Sequence, residues 1–296
     1  MLPESLLPYN TPEHQPFTLG DGSAVALLIH GFPGTPAEVR PLAEALLEKG
    51  WKVRAPLLPG FGADISNLNQ TTRQDWIDTA RREWLALRVE SERSLLLGYS
   101  MGAAVALHVA EANPPDQLAL ISPFWRVPGW IHWLVPVARR LAPNLRPFKK
   151  ADFSDPRLRQ MFAAIIPQAD LDDPEVQEYI RSSFTLPLKS MEEVLRMGRS
   201  AYKLANRIQA ETLLLQGVHD PLVRATDTQR LKQRMDIPPS NYREIEASHD
   251  LLAPGSPQLE QVKRLLSQFA GRTPPSKDVL ARLTRVAVHP SGQAPS

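Results

Sequence analysis

Short, unbroken apolar runs alternate along the chain with longer segments whose apolar positions recur every three or four residues. Residues 25–29, Val-Ala-Leu-Leu-Ile, are the first run, and the absence of polar alternation in it is the pattern of a strand buried on both faces. Residues 36–49 follow with Val39, Leu42, Ala43, Leu46 and Leu47 on one helical stripe, and Gly50 closes them as a C-terminal cap. The unit then recurs: a strand at 51–55 and a helix over 75–87, then a strand at 94–99 and a helix over 101–112 that is apolar nearly all round. A strand at 117–121 comes next. Alternation at this cadence predicts an α/β architecture with a mostly parallel, doubly wound sheet.

The cadence breaks at Ser122-Pro123 and resumes only at residues 212–216. Between them the chain reads as helical and proline-interrupted, with no clear strand, and predicts a helical cap inserted into the core. A strand at 242–245 and a helix over 257–269 complete the pattern. The predicted organisation is a core of residues 1–122 and 206–270, a cap of residues 123–205, and a tail of residues 271–296, rich in Pro, Ser and basic residues and expected to be mobile in part.

Composition narrows the chemistry. The chain of 296 residues has no cysteine, which excludes disulfides, thiolate metal sites and a cysteine nucleophile together. Thirty-four Lys plus Arg against thirty-two Asp plus Glu leave a net charge of +2, so no global basic excess points to nucleic acid. No apolar run approaches the roughly 18 residues of a membrane span. Residues 1–8 lack the basic and apolar regions of a secretory signal, and a cytoplasmic address is the expectation.

One stretch is strongly biased. Residues 123–150 carry Arg126, Arg139, Arg140, Arg146, Lys149 and Lys150 with no carboxylate, and Trp125, Trp130 and Trp133 lie among them. The favoured reading is tryptophans lining an acyl pocket while the cations reach solvent; the alternative is contact with an anionic lipid surface. Acidic residues follow at Asp152, Asp155, Asp170, Asp172, Asp173, Glu175 and Glu178, where they could neutralise the basic face.

Gly98-Tyr99-Ser100-Met101-Gly102 has the form G-x-S-x-G between a buried strand and an apolar helix. That context suits a nucleophilic serine on a sharp strand-to-helix turn, where glycines on either side leave room for the turn. Serine needs a base within hydrogen-bond reach and a third group to orient that base. Of the seven histidines, His249 follows the final strand in a loop at its carboxyl end, where α/β sites assemble. Asp220, just beyond the strand at 213–215, is the candidate orienting acid, whereas Asp227 falls on the following helix. Ser122 and Pro123 occupy the other strand end where an acid could stand. Two backbone donors are expected to bind an oxyanion: the N–H of Met101, at a helix N-terminus, and that of Phe32 in the loop His30-Gly31-Phe32-Pro33-Gly34, Pro33 having none.

Taken together these residues resemble the α/β-hydrolases, more closely the carboxylesterase and monoacylglycerol lipase group. The resemblance covers roughly residues 24–122 and 206–270: His-Gly-Phe-x-Gly at 30–34, the elbow at 98–102, G-x-x-D-x-x-V at Gly217, Asp220 and Val223, and the closing Ser248-His249. Leu58-Pro59-Gly60-Phe61-Gly62 departs from the family's Pro-Gly-His-Gly by placing Phe61 where histidine is usual, a change expected to affect local packing more than chemistry. The resemblance implies a small-molecule acyl ester as substrate, hydrolysed through an acyl-serine without metal or organic cofactor. A thioesterase or acyltransferase with the same triad, and a non-catalytic binding protein on the same fold, stay open at this point, as do the acyl length, the leaving alcohol and the oligomeric state.

Overall fold

The computed structural model describes residues 8–89, 91–126, 129–166 and 169–272. Among them a seven-stranded sheet runs β1 (Phe17–Leu19), β3 (Lys52–Ala55), β2 (Ala24–Ile29), β4 (Arg93–Tyr99), β5 (Gln117–Ile121), β8 (Glu211–Gly217) and β9 (Tyr242–Ile245) in spatial order. All neighbours pair in parallel except β1, which runs antiparallel to β3.

The unbroken apolar runs are explained by what covers each face. Successive side chains of a strand point to opposite sides. Leu27, Ile29, Leu96, Leu118, Leu120 and Leu214 accordingly pack with α2 (Arg73–Leu87) and α3 (Met101–Ala112). Leu28, Leu95, Leu97, Ala119, Leu213 and Leu215 pack on the other face with α1 (Arg40–Leu47) and α9 (Pro257–Ala270). Both faces are covered, so a polar side chain on β2, β4 or β5 needs a partner, as Ser94 at the start of β4 finds in Asp116. The mostly parallel doubly wound sheet is the architecture that the periodicity predicts.

Element ends differ from the pattern for local reasons. Residues Pro36–Val39 form a 3-10 turn before α1 rather than its first turn. Past α1, Gly50 has φ +78° and its N–H bonds Leu47 O at 2.8 Å, the left-handed ending that glycine permits. Helix α2 starts two residues before the expected 75 because Thr72 and Asp75 form a reciprocal capping box. The edge strand β1 has no sequence signal: three residues are too few to show a period, and they follow a proline-rich arm.

Between β5 and β8 lie α4 (Gly129–Leu141), β6 (Asn144–Leu145), α5 (Pro156–Ile165), α6 (Pro174–Ser183), β7 (Leu186–Pro187) and α7 (Leu188–Leu204). The expectation of no strand here is corrected by the two-residue antiparallel ladder β6–β7, which is too short for alternation to reveal. Phe153, Phe162, Ile166, Leu171 and Ile180 make a small core of their own. Helix α7 is different: Val194, Met197 and Ala201 join the main core against α3. Trp125 is buried, stacked on Tyr202 with ring centroids 4.0 Å apart, and its indole N–H donates to Asp227 O. It is therefore closed off from any lipid surface; Trp130 and Trp133 lie on α4. The basic run finds partners outside the acidic stretch that follows it: Arg126 pairs with Asp227 and Arg139 with Glu192, while Asp172 takes Arg159. The tail expected at 271–296 lies outside the described residues from 273 onward, as do residues 1–7 of the N-terminus.

Candidate active site

The carboxyl ends of β2, β4, β8 and β9 bring four separate segments together. Ser100 sits between β4 and α3 with φ +53° and ψ −116°, a backbone conformation L-residues rarely adopt and one that costs about 1–3 kcal/mol. The neighbouring glycines make the turn sterically feasible. A Cβ on Gly98 would lie 2.5 Å from Ala103 N, and one on Gly102 would lie 2.5 Å from His30 O and 2.8 Å from Ile29 C. The elbow therefore packs backbone to backbone against the end of β2. Its own frame is anchored by Ser100 N–H to Ile121 O and Phe124 N–H to Ser100 O.

His249 arrives from the loop after β9. Gly217, the last residue of β8, lets that loop close in, since a Cβ there would lie 2.8 Å from Ala247 O and nearer still to Ser248 O. His219 N–H to Ala247 O then ties the two loops together. The imidazole Nε2 is 3.0 Å from Ser100 Oγ and Nδ1 is 2.7 Å from Asp220 Oδ2. An ionised carboxylate can only accept, so Nδ1 carries the proton and Nε2 is left free to accept from the serine hydroxyl. Tyr99 stacks on the ring at 5.7 Å and its hydroxyl donates to His249 O, which steadies the residue from below.

Asp220 is buried and fully engaged. Oδ1 accepts the N–H groups of Leu222 and Val223, both at 2.8 Å, and Oδ2 accepts Gln216 Nε2 at 3.3 Å besides the imidazole. Burial acts to raise its pKa, but the bonds from His249, Val223 and Leu222 outweigh it and hold the carboxyl below the ordinary aspartate value. Asp227 lies on α8 (Ala225–Arg234), as the sequence indicates, ion-paired with Arg126, Arg224 and Arg230 rather than with a histidine.

The loop 30–34 stands beside Ser100. His30 is structural: Nδ1–H donates to Gly31 O at 2.9 Å, Nε2 accepts Leu58 N–H at 3.1 Å, and burial lowers its pKa to about 4, so it stays neutral. Phe61 packs edge-on against both His30 and Phe32, which makes the departure at this position an aromatic prop. Gly31 N–H is committed to Glu38 and Gly34 N–H to Gly31 O. With Pro33 lacking a donor, this leaves Phe32 N–H on the loop, next to the first N–H of α3, that of Met101, which has no intrahelical acceptor.

Ser100, His249 and Asp220 are thus brought into one hydrogen-bonded line, and Phe32 and Met101 stand beside it. Two contributors escaped the sequence reading. Gln216 orients Asp220 while its Oε1 accepts Thr228 Oγ1 at 2.6 Å; an amide ending an otherwise apolar run was the available signal. Glu38 had none, being a charged residue at the start of an amphipathic helix. Among the described residues no group of three or more His, Asp or Glu could hold a metal ion, and no helix is long and apolar enough to cross a membrane.

Known proteins share both the sequence and this arrangement of elements. A thermostable monoacylglycerol lipase of Bacillus sp. (strain H-257) is 36% identical over 100 residues, 34% of this chain and 40% of the relative. A carboxylesterase of Bacillus subtilis (strain 168) is 33% identical over 101 residues, 34% of this chain and 41% of the relative. The chain thus matches about two fifths of the length of either relative. Among solved structures, one from work on the metagenome-derived lipolytic enzymes LipS and LipT superposes with a TM-score of 0.69 at 18% identity, covering 88% of this chain and 98% of that one. That likeness identifies the α/β-hydrolase fold. The model of the serine aminopeptidase S33 family matches residues 20–253, most of the chain and every segment of the site, and the protein belongs to that family of α/β-hydrolases.

Proposed function

We propose that this protein is a serine carboxylic ester hydrolase acting on an uncharged monoacyl ester through an acyl-serine intermediate. The observation that carries the reading is the line from Ser100 Oγ through His249 to Asp220 Oδ2, with both links at hydrogen-bond length. In this reading Ser100 Oγ attacks the ester carbonyl as His249 Nε2 takes its proton. Asp220, held anionic by its four donors, orients the imidazole and stabilises its charged form. The carbonyl oxygen, now negative, is received by the N–H groups of Phe32 and Met101, a contribution of about 2.7–4 kcal/mol for one such donor. His249 returns the proton to the leaving alcohol. A water molecule then repeats the cycle on the acyl-serine, and no metal or organic cofactor is needed. The names of the two Bacillus relatives, a monoacylglycerol lipase and a carboxylesterase, support an ester over other acyl compounds. Residues 123–205 would act as the cap that selects the acyl chain.

Steady-state hydrolysis of p-nitrophenyl and monoacylglycerol esters of increasing chain length tests this reading. Wild type is expected to turn over at least part of the series, with Ser100→Ala reduced at least about 10³-fold in kcat. A folded wild type inert on every ester would overturn it. One surface favours an additional contact. Leu134, Val137, Leu141 and Leu145 are exposed along α4 and just beyond it, among exposed Arg140, Arg146, Lys149 and Lys150, a combination complementary to an anionic lipid surface. Co-sedimentation with phosphatidylglycerol vesicles at low salt is expected, and its absence would remove this contact from the reading.

A further inference from the structure

Glu38 lies in the 3-10 turn just beyond the loop 30–34. Its Oε2 accepts Gly31 N–H at 2.9 Å. The backbone of Gly34 lies directly on the carboxyl group, so closely that a Cβ on Gly34 would overlap its carbon and both oxygens. Gly34 N–H to Gly31 O closes the turn between these two contacts. The loop is therefore folded around this one carboxyl. Ser100 lies against the same glycine: a Cβ on Gly31 would lie 3.3 Å from Ser100 Cβ and 3.4 Å from Glu38 Oε2.

Resting on the serine-hydrolase reading above, we propose that Glu38 is a positioning residue, whose carboxyl holds the Gly31 amide and thereby sets the direction of the Phe32 N–H toward the oxyanion. Phe32 N–H shares a rigid peptide unit with Gly31 O, which accepts Gly34 N–H and His30 Nδ1–H, while Glu38 holds the preceding unit and packs against Gly34, so the two dihedrals of Gly31 between the units are pinned from both ends. The surroundings suit a fixed group. Burial raises the Glu38 pKa to about 7, opposed by the Gly31 bond and by the charge of His249. Tyr9 from the N-terminal arm and Tyr99 from β4 lie near enough for the Glu38 charge to act on both, and Asp220 and Asp250 act on Tyr99 as well. Both tyrosines are held uncharged by burial. An acceptor, with or without its charge, is what the loop requires.

The test compares Glu38→Gln, which keeps an acceptor at the same reach, with Glu38→Asp, which withdraws it by about one bond length of 1.5 Å, and Glu38→Ala. Amide hydrogen exchange at Gly31 and Phe32 is expected to speed up at least about tenfold in the Asp and Ala variants and to stay near wild type in the Gln variant. Unchanged exchange in all three would overturn the proposal whatever the activity. On esters, the Asp and Ala variants are expected to lose about 10- to 100-fold in kcat with KM within about twofold, and Gln to recover most of it. The inhibition constant of an alkyl trifluoromethyl ketone, which forms an oxyanion on the serine, should rise by the same factor as kcat falls. A loss borne by KM alone, or an unchanged ketone affinity, would also overturn it. If Glu38→Ala does not fold, the Asp and Gln pair carries the comparison. Wild type inert on all esters would sink the hydrolase reading, and the exchange data would still decide the role of Glu38.

Discussion

Gly102→Ala sets two physical effects against each other, and their magnitudes predict which wins. Gly102 is the second residue of α3, and helix propensity alone favours alanine over glycine by about 1 kcal/mol. The added methyl, however, would sit 2.5 Å from His30 O and 2.8 Å from Ile29 C, where carbon–oxygen contact normally needs about 3.3 Å. These atoms are backbone, and β2 is held to β4 by a ladder ending at Ile29 opposite Gly98, so no side chain can rotate away. The end of β2 has to retreat by ~1 Å. Overpacking of this kind costs about 1–3 kcal/mol, which leaves a net loss of up to ~2 kcal/mol after the propensity gain. The same movement carries the loop 30–34 away from Ser100, and a misplacement of ~1 Å typically costs about 10²-fold in rate. Urea unfolding and ester kinetics on the purified variant would measure both. Gly50→Ala is the control: it has positive φ but nothing within 4 Å of the new methyl, so it should lose ~1–2 kcal/mol with kcat unchanged. A Gly102→Ala protein at least as stable as wild type and within threefold of its activity would refute the argument that backbone contact builds this elbow.

Two further predictions concern stability. Ser100→Gly should be more stable than Ser100→Ala by ~1 kcal/mol in thermal or urea unfolding, because glycine relieves the strained φ of +53° while both variants lack the hydroxyl; the unfolded-chain entropy of glycine takes back part of the strain relief. A Ser100→Gly protein less stable than Ser100→Ala would show that the turn is not strained. The pH dependence contains two opposed contributions. His30, lowered from 6.5 to about 4, contributes stability that is present above pH 6.5 and lost as pH falls toward 4. Glu38, raised from 4.5 to about 7, contributes stability that is present below pH 4.5 and lost as pH rises through 7. Each amounts to ~3 kcal/mol across its window, so they largely offset. Glu38→Gln removes one of them: relative to wild type its unfolding free energy should fall by ~3 kcal/mol between pH 8 and pH 4, and parallel curves for the two proteins would contradict this.

Local pattern was enough for the parallel strands and the elbow, because the causes lie within a few residues. A strand covered on both faces must be apolar throughout, so the runs at 25–29, 94–99 and 117–121 announce parallel strands without reference to anything distant. Gly98 and Gly102 flank Ser100 in sequence, and a strand before them with a helix after is again a local fact. The ends of β8 and β9 likewise marked Asp220 and His249 as candidates. That their side chains meet was a matter for the tertiary structure. Ser100 and His249 are 149 positions apart and Asp220 and His249 are 29, and contact depends on β4, β5, β8 and β9 lying side by side in that order. It depends too on Gly217 admitting the 247–249 loop. Side-chain partnerships show the same limit. Arg126 and Arg139 precede a run of acids, yet they reach Asp227 and Glu192, because α4 packs along α7, which carries Glu192, and Trp125 beside Arg126 is bonded to the backbone of Asp227. Glu38 is the clearest case. In sequence it is an unremarkable charge opening an amphipathic helix, and only the closure of the 31–34 loop over its carboxyl, beside the elbow, gives it a place in the site. Periodicity reports which face of an element is buried; it holds no record of which buried group a neighbouring loop will close upon.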